Sequence, residues 1–202
     1  MGVSINTNDT ANNTFSAATD DGHNVLHINK QSTKTNTASG QNAKYIMALG
    51  QTYEAKKAVM EFNIFISSEN TTKSSSGTHL AYIFFRDHNG YTASPYGAMI
   101  YSYNDGFTFG DNILTAESTT KALGVQISYD EWHSVKLEVV TGDKDTFLAT
   151  WYVDGELYAT STKFIGGGEA SFTKVDSACI WVQGNTAMNA YIDNLTLEVY
   201  EN

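Results

Sequence analysis

The stretch WHSVKLEVVTGDKDTFLATWYVDGELYATS (132–161) decides the fold. From Val135 to Val139 apolar and polar side chains alternate with the two-residue period of a β-strand. The polar run TGDKD (141–145) interrupts the pattern, and FLATWYV takes it up again. Asp154-Gly155 then stands between two apolar-alternating runs. A type I′ turn needs positive φ at both central positions, and an Asp-Gly pair supplies this, so the dipeptide predicts a two-residue hairpin. A further run, AYIDNLTLEVY (190–200), predicts one more strand, in which Ile192 belongs to one face and Leu195, Leu197 and Val199 to the opposite parity, so that a bulge is expected at Asp193-Asn194. Together these segments read as the closing half of an antiparallel β-sandwich.

The rest of the chain agrees with an all-β class. Helical periodicity is almost absent, while twelve tyrosines, ten phenylalanines and three tryptophans occur with sixteen glycines and one proline. Predicted strands lie at 24–29, 44–48, 58–66, 79–87, 97–104, 107–109, 123–128, 134–140, 147–153, 157–164, 177–183 and 189–200. Two long polar loops, 31–42 and 67–78, separate some of them and read as mobile surface. Residues 1–14 read as a linker remnant or strand lead-in, and 15–202 as one domain, a jelly-roll β-sandwich of two antiparallel sheets. A chain of this length buries roughly 70% of its unfolded surface, enough for a core without staples. Its single cysteine, Cys179, cannot form an internal disulfide and reads as a small strand residue.

Charge restricts the partners. The formal net charge is −10, and Arg86 is the only arginine among twelve basic residues. With no Lys/Arg cluster to displace counterions from phosphates, nucleic-acid binding is excluded. The same field opposes polyuronates and sulfated glycans and favours neutral partners. No stretch reaches the length of a transmembrane span, and residues 1–14 lack the regions of a signal peptide, so Met1-Gly2 reads as the start of an excised piece.

Strand alternation assigns side chains to faces. In HLAYIFFRD (79–87), Ala81, Ile83 and Phe85 form an apolar set that should face the core, leaving Tyr82, Phe84 and Arg86 outward, followed by His88. In GAMIYSYN (97–104), Ala98 and Ile100 read as core, and Met99, Tyr101 and Tyr103 as outward. In SACIWVQG (177–184), Ala178, Ile180 and Val182 read as core, and Cys179, Trp181 and Gln183 as outward. Large aromatics on the face that a sandwich gives to polar residues mark a binding surface. The alternative is that loop 31–42 or 67–78 covers them. Trp132 and Trp151 read as core residues.

The pattern W-H-x-V-K-L-E-V, Y-V-D-G-E-L and Y-I-D-N-L-T-L resembles the concanavalin A-like lectin and glucanase superfamily, in particular its laminin-G-like and bacterial carbohydrate-binding members. The resemblance implies a ligand lying across the concave sheet. Tyr82, Phe84, Arg86, Tyr101, Tyr103, Trp181 and Gln183 are then the candidate carbohydrate-binding residues: aromatic rings stack on sugar C–H faces while Arg, Gln and Tyr hydroxyls bond the sugar hydroxyls. The resemblance also implies a structural calcium on Asp193 of the Y-I-D strand, with Asp20 and Asp21 in the turn TDDG supplying further oxygens. Ser16, where some relatives place a glutamate, departs from that pattern.

For catalysis the sequence speaks mostly in the negative. The paired carboxylates E-x-D-x-x-E of related glycoside hydrolases are missing, as are the lyase strands R-x-E-L-R, Q-I-H and Y-F-K-x-G. The expectation is therefore a non-catalytic module that binds a neutral polysaccharide, a β-glycan by preference, within a larger extracellular or cell-surface protein. The alternatives are a jelly-roll lyase or hydrolase, with Arg86, His88, Gln183 and outward tyrosines available to a lyase, or an adhesion domain that binds another protein. His133 reads as structural.

Overall fold

A computed structural model of the chain describes residues 2–7, 15–20, 22–31, 43–86, 96–111, 122–143, 146, 148–161, 171–182 and 186–201. The strands are β1 (Gly2–Thr7), β2 (Phe15–Asp20), β3 (His23–Lys30), β4 (Ala43–Ile66), β5 (Thr78–Arg86), β6 (Tyr96–Ser102), β7 (Phe107–Asp111) and β8 (Ala122–Ile127). They continue with β9 (Trp132–Val140), β10 (Gly142–Asp143), β11 (Leu148–Val153), β12 (Glu156–Ser161), β13 (Ser171–Phe172), β14 (Lys174–Val182) and β15 (Met188–Glu201). Every pairing among the described residues is antiparallel. The jelly-roll sandwich expected from the sequence is the fold.

One sheet runs β1, the first half of β4, β14, β5, β6, β7 and β8. The other runs β12, β11, β9, the second half of β4, β15, β3 and β2. Where two strands at 44–48 and 58–66 were predicted, a single 24-residue strand passes from one sheet to the other. Drawn straight, it would be about 80 Å long, so it has to bend. Gly50 lies beside the bend at φ +88°, a conformation disfavoured for other residues, and the pairing with β14 shifts register there, four residues of β4 (49–52) standing against one of β14 between Val175 and Ser177.

The core lies between the sheets, built from Ile83, Phe85, Phe109 and Ile180 on one side and Met60, Ile64, Leu137 and Trp151 on the other. Trp151 stacks on Phe109, centroids 5.5 Å apart and planes within 10°. Each such side chain contributes about 1.5–3 kcal/mol by leaving water.

The predicted hairpin is present. Asp154 (φ 52°) and Gly155 (φ 81°) link Val153 to its partner Glu156. The Asp154 carboxylate also accepts the Ser134 amide at 2.8 Å and contacts His133 Nδ1 at 2.8 Å, so buried His133 holds the turn. In β15 the alternation breaks where the sequence places the break, at a bulge between Asp193 and Thr196 with Asn194 at φ 50°.

Three expectations are corrected. Trp132 is not a core residue: it begins β9 on the outer face and is 39% exposed. Residues 2–7, set aside as linker or lead-in, form β1 along Ala43–Ala48. The 67–78 segment is pinned rather than loose, because the Thr71 and Thr72 hydroxyls accept the amides of Asn189 and Ala187, and Thr72 N donates to Ala187 O.

Candidate functional site

The outer face of the first sheet gathers most of the candidate residues, row by row across the strands. Ser177 of β14 pairs with Arg86 of β5, Cys179 with Phe84, and Trp181 with Tyr82. Tyr101 of β6 pairs with His79 on one side and Thr108 of β7 on the other. Phe84, Tyr82 and Cys179 form a small apolar cluster of their own, with Ile46, Tyr101 and Trp181 against it. The open aromatic platform expected from sequence is therefore only partly open. Tyr82 and Phe84 are each 6% exposed and serve as floor, while His79, Tyr101, Trp181 and Arg86 remain partly accessible.

His79 is the residue that sequence reading missed. By alternation it belongs with Ala81, Ile83 and Phe85 in the core. The register shifts between His79 and Ala81, however, with Leu80 as the extra residue, and the bulge carries His79 onto the outer face. There its ring meets Tyr82 edge-on at 4.1 Å and Tyr101 at 5.8 Å, and Tyr82 lies 5.2 Å from Trp181. His79 Nε2 is 3.1 Å from the Ala81 carbonyl oxygen. A carbonyl only accepts, so Nε2 carries the proton and donates it, leaving the lone pair on Nδ1. Burial pushes the imidazole down to about 4, against the opposing pull of the Ala81 carbonyl, so the ring is neutral at ordinary pH. Burial, with Tyr101 beside it, pushes the Tyr82 hydroxyl up to about 12. The pair thus joins a neutral imidazole to a phenol that keeps its proton. Thr108 completes the row: it is buried, and its hydroxyl has no hydrogen-bond partner among the described residues.

Other candidates sit further off. Arg86 is four residues along β5 from Tyr82, about 13 Å at strand rise. A cavity of about 300 Å³ lined by Ile46, Ala48, Asp176 and Ser177 lies near it. Tyr103 follows β6 and its ring lies against Gly77, where an added Cβ would stand 2.8 Å from it. Gln183 and His88 lie outside the described residues. Of the expected calcium ligands, Asp193 Oδ1 accepts the Asn194 amide at 2.7 Å, Asp20 ends β2, and Asp21 lies outside the described residues. Among the described residues no group of three or more His, Cys, Asp or Glu is placed to hold a metal.

No protein-family profile and no curated protein sequence matches this chain. Solved structures do. An endo-β-1,4-glucuronan lyase from the fungus Trichoderma reesei superposes with a TM-score of 0.60 at 13% identity, over 93% of this chain and 87% of that one. A carbohydrate esterase from the Shiga toxin-encoding bacteriophage phi24B gives 0.64 at 13%, over 99% and 91%. An alginate lyase from Chlorella virus gives 0.55 at 14%, over 98% and 91%. At these identities the likeness establishes the fold. It also corrects the non-catalytic expectation, because the folds this chain shares nearly end to end are those of carbohydrate-active enzymes.

Proposed function

We propose that the chain is a polysaccharide lyase that cleaves a uronate-containing glycan by β-elimination on the outer face of the first sheet. The observation that carries this reading is the neutral His79 imidazole against Tyr82 and Tyr101, on the fold of the alginate and glucuronan lyases. In such a reaction a base removes the proton on C5 of the uronate, the C4–O bond breaks, and an acid protonates the departing oxygen. The products are a C4=C5 unsaturated sugar and a new chain end. His79 Nδ1 is the base, neutral and with its lone pair free of the Ala81 contact. Tyr82, which retains its proton, is the acid, and Tyr101 lines the other side of the imidazole. Trp181 offers a ring for stacking the adjoining sugar.

The overall charge of −10 opposes a polyanionic substrate, so local cations have to override it. Arg86 supports that role on this face, about 13 Å along β5 from Tyr82, where it would hold the carboxylate of a sugar further along the chain. The register also brings Lys44 opposite Trp181. Substrate is therefore uronate polymer rather than the neutral glycan that charge alone suggested.

The test is incubation with glucuronan, alginate and neutral β-glucan, following the ultraviolet absorbance of the unsaturated product, with and without EDTA. The expected result is absorbance growth on a uronate polymer that His79→Gln abolishes and Tyr82→Phe lowers at least a hundredfold. EDTA sensitivity would bring the calcium expectation back. Chain shortening without unsaturated product, or release of an ester acid alone, would overturn the lyase reading.

A further inference from the structure

The outer face of the second sheet carries a separate aromatic array, far from His79. His27, Tyr191, Phe65 and Trp132 are cross-strand partners in one row over β3, β15, β4 and β9. His27 stacks on Tyr191 at 4.4 Å with planes within 4°, Tyr191 meets Phe65 at 6.0 Å, and Phe65 meets Trp132 at 5.8 Å. The His27 Nε2 donates to Asn189 Oδ1 at 3.0 Å, which fixes the first ring of the row. Four adjacent strands at about 4.8 Å spacing give a ladder roughly 14 Å long, the length of a short oligosaccharide. All four rings are partly accessible, and Trp132 is the most open.

Next to the ladder is a cavity of about 590 Å³, lined by Asn63, Ser134, Lys136, Glu61 and Tyr152 among others. Lys136 is bound on both sides, by Glu138 at 2.9 Å and Glu61 at 3.3 Å. The charged side chains in and beside the groove therefore sum to a negative value, and the groove repels a polyanion. Amide and hydroxyl groups of Asn63, Ser134 and Tyr152 are the complement of sugar hydroxyls. A protein partner of standard affinity needs a broad apolar centre, whereas this face offers a narrow row of rings with a polar trench beside it.

We propose that this face binds a neutral glycan chain laid along the row, its sugars stacked on Trp132, Phe65 and Tyr191 and its hydroxyls bonded in the Asn63–Ser134 groove. It would hold the protein on an uncharged polysaccharide independently of the chemistry on the first sheet. The experiment is affinity electrophoresis of the full chain in gels containing xylan, mixed-linkage β-glucan or galactomannan, run for the wild type, Trp132→Ala, Trp132→Tyr, Asn63→Ala and His79→Gln. Retardation by at least one of these glycans should weaken about tenfold or more in Trp132→Ala, persist in Trp132→Tyr, which retains a stacking ring, and weaken in Asn63→Ala. His79→Gln should bind as the wild type does. Three results would overturn the proposal: no retardation in any gel, loss in His79→Gln with retention in Trp132→Ala, or a dimer in sedimentation that Trp132→Ala dissociates. Since the uronate assay reads a different polymer and a different product, the two proposals fail separately.

Discussion

Replacing His79 with glutamine should flatten the acid limb of this protein's stability curve. The ordinary histidine value is 6.5, and burial lowers it to about 4 in the folded chain. Between these values the unfolded chain takes a proton that the folded chain refuses, so folding loses free energy as pH falls from about 7 towards 4. At pH 5 the unfolded state is favoured by a factor of roughly thirty, which corresponds to about 2 kcal/mol, against a few tenths at pH 7. Solvent relaxation around a partly accessible ring brings the effect nearer to about 1 kcal/mol. The rings against His79 are Tyr82 and Tyr101, and tyrosine hydroxyls do not titrate in this window. The assay is urea unfolding of wild type and His79→Gln at pH 7, 6 and 5. The difference between the two proteins should shift by about 1–2 kcal/mol in favour of the variant between pH 7 and pH 5. Parallel curves, or a variant that loses more on acidification, would show that the imidazole is not buried neutral on this face and would remove the base from the proposed chemistry.

Gly106→Ala should lower stability by about 1–3 kcal/mol, because its Cβ would stand 2.5 Å from the Ile127 carbonyl oxygen, and a thermal melt reads the loss. Trp151→Ala should cost about 3–5 kcal/mol in the same measurement, since Trp151 fills the middle of the sandwich against Phe109. Asp154→Ala should cost about 1–3 kcal/mol by releasing the Ser134 amide and His133 Nδ1 and by placing a less tolerant residue at φ 52°. The Asp154 contribution has its own pH dependence. Burial acts against this carboxylate, but the hydrogen bonds from His133 and Ser134 prevail and hold it below the usual range. Its stabilisation is therefore present above the usual carboxylate value and disappears as pH falls through the lowered one, so the wild-type advantage over Asp154→Ala should shrink in strong acid.

Much of the architecture was legible because it is written in local pattern. Alternation placed most strands within a few residues, Asp154-Gly155 named its own turn, and the parity break near Asp193 announced a bulge. The faces of Tyr82, Phe84, Tyr101 and Trp181 followed from the same period. What escaped was whatever depends on a partner strand. The run LGQTYEAKK (49–57) has no clear alternation, yet it is the middle of β4, because it is paired while it crosses between sheets. Trp132 looked apolar enough for the core, but its position in β9 turns it to the outer face, and its side-chain chemistry has no say in that.

Sequence by itself determined the class of fold, the hairpin, the excess of negative charge and which rings share a face within an uninterrupted strand. The tertiary structure decided where parity fails and what lies over each face. His79 illustrates the reason: alternation is a property of one chain segment, but a bulge exists only relative to the register of a neighbouring strand, and Leu80 becomes the extra residue only once β5 is laid against β6. That single offset turns the histidine from the core to the outer face and brings it against Tyr82 and Tyr101, side chains that adopt this geometry only in the folded sheet.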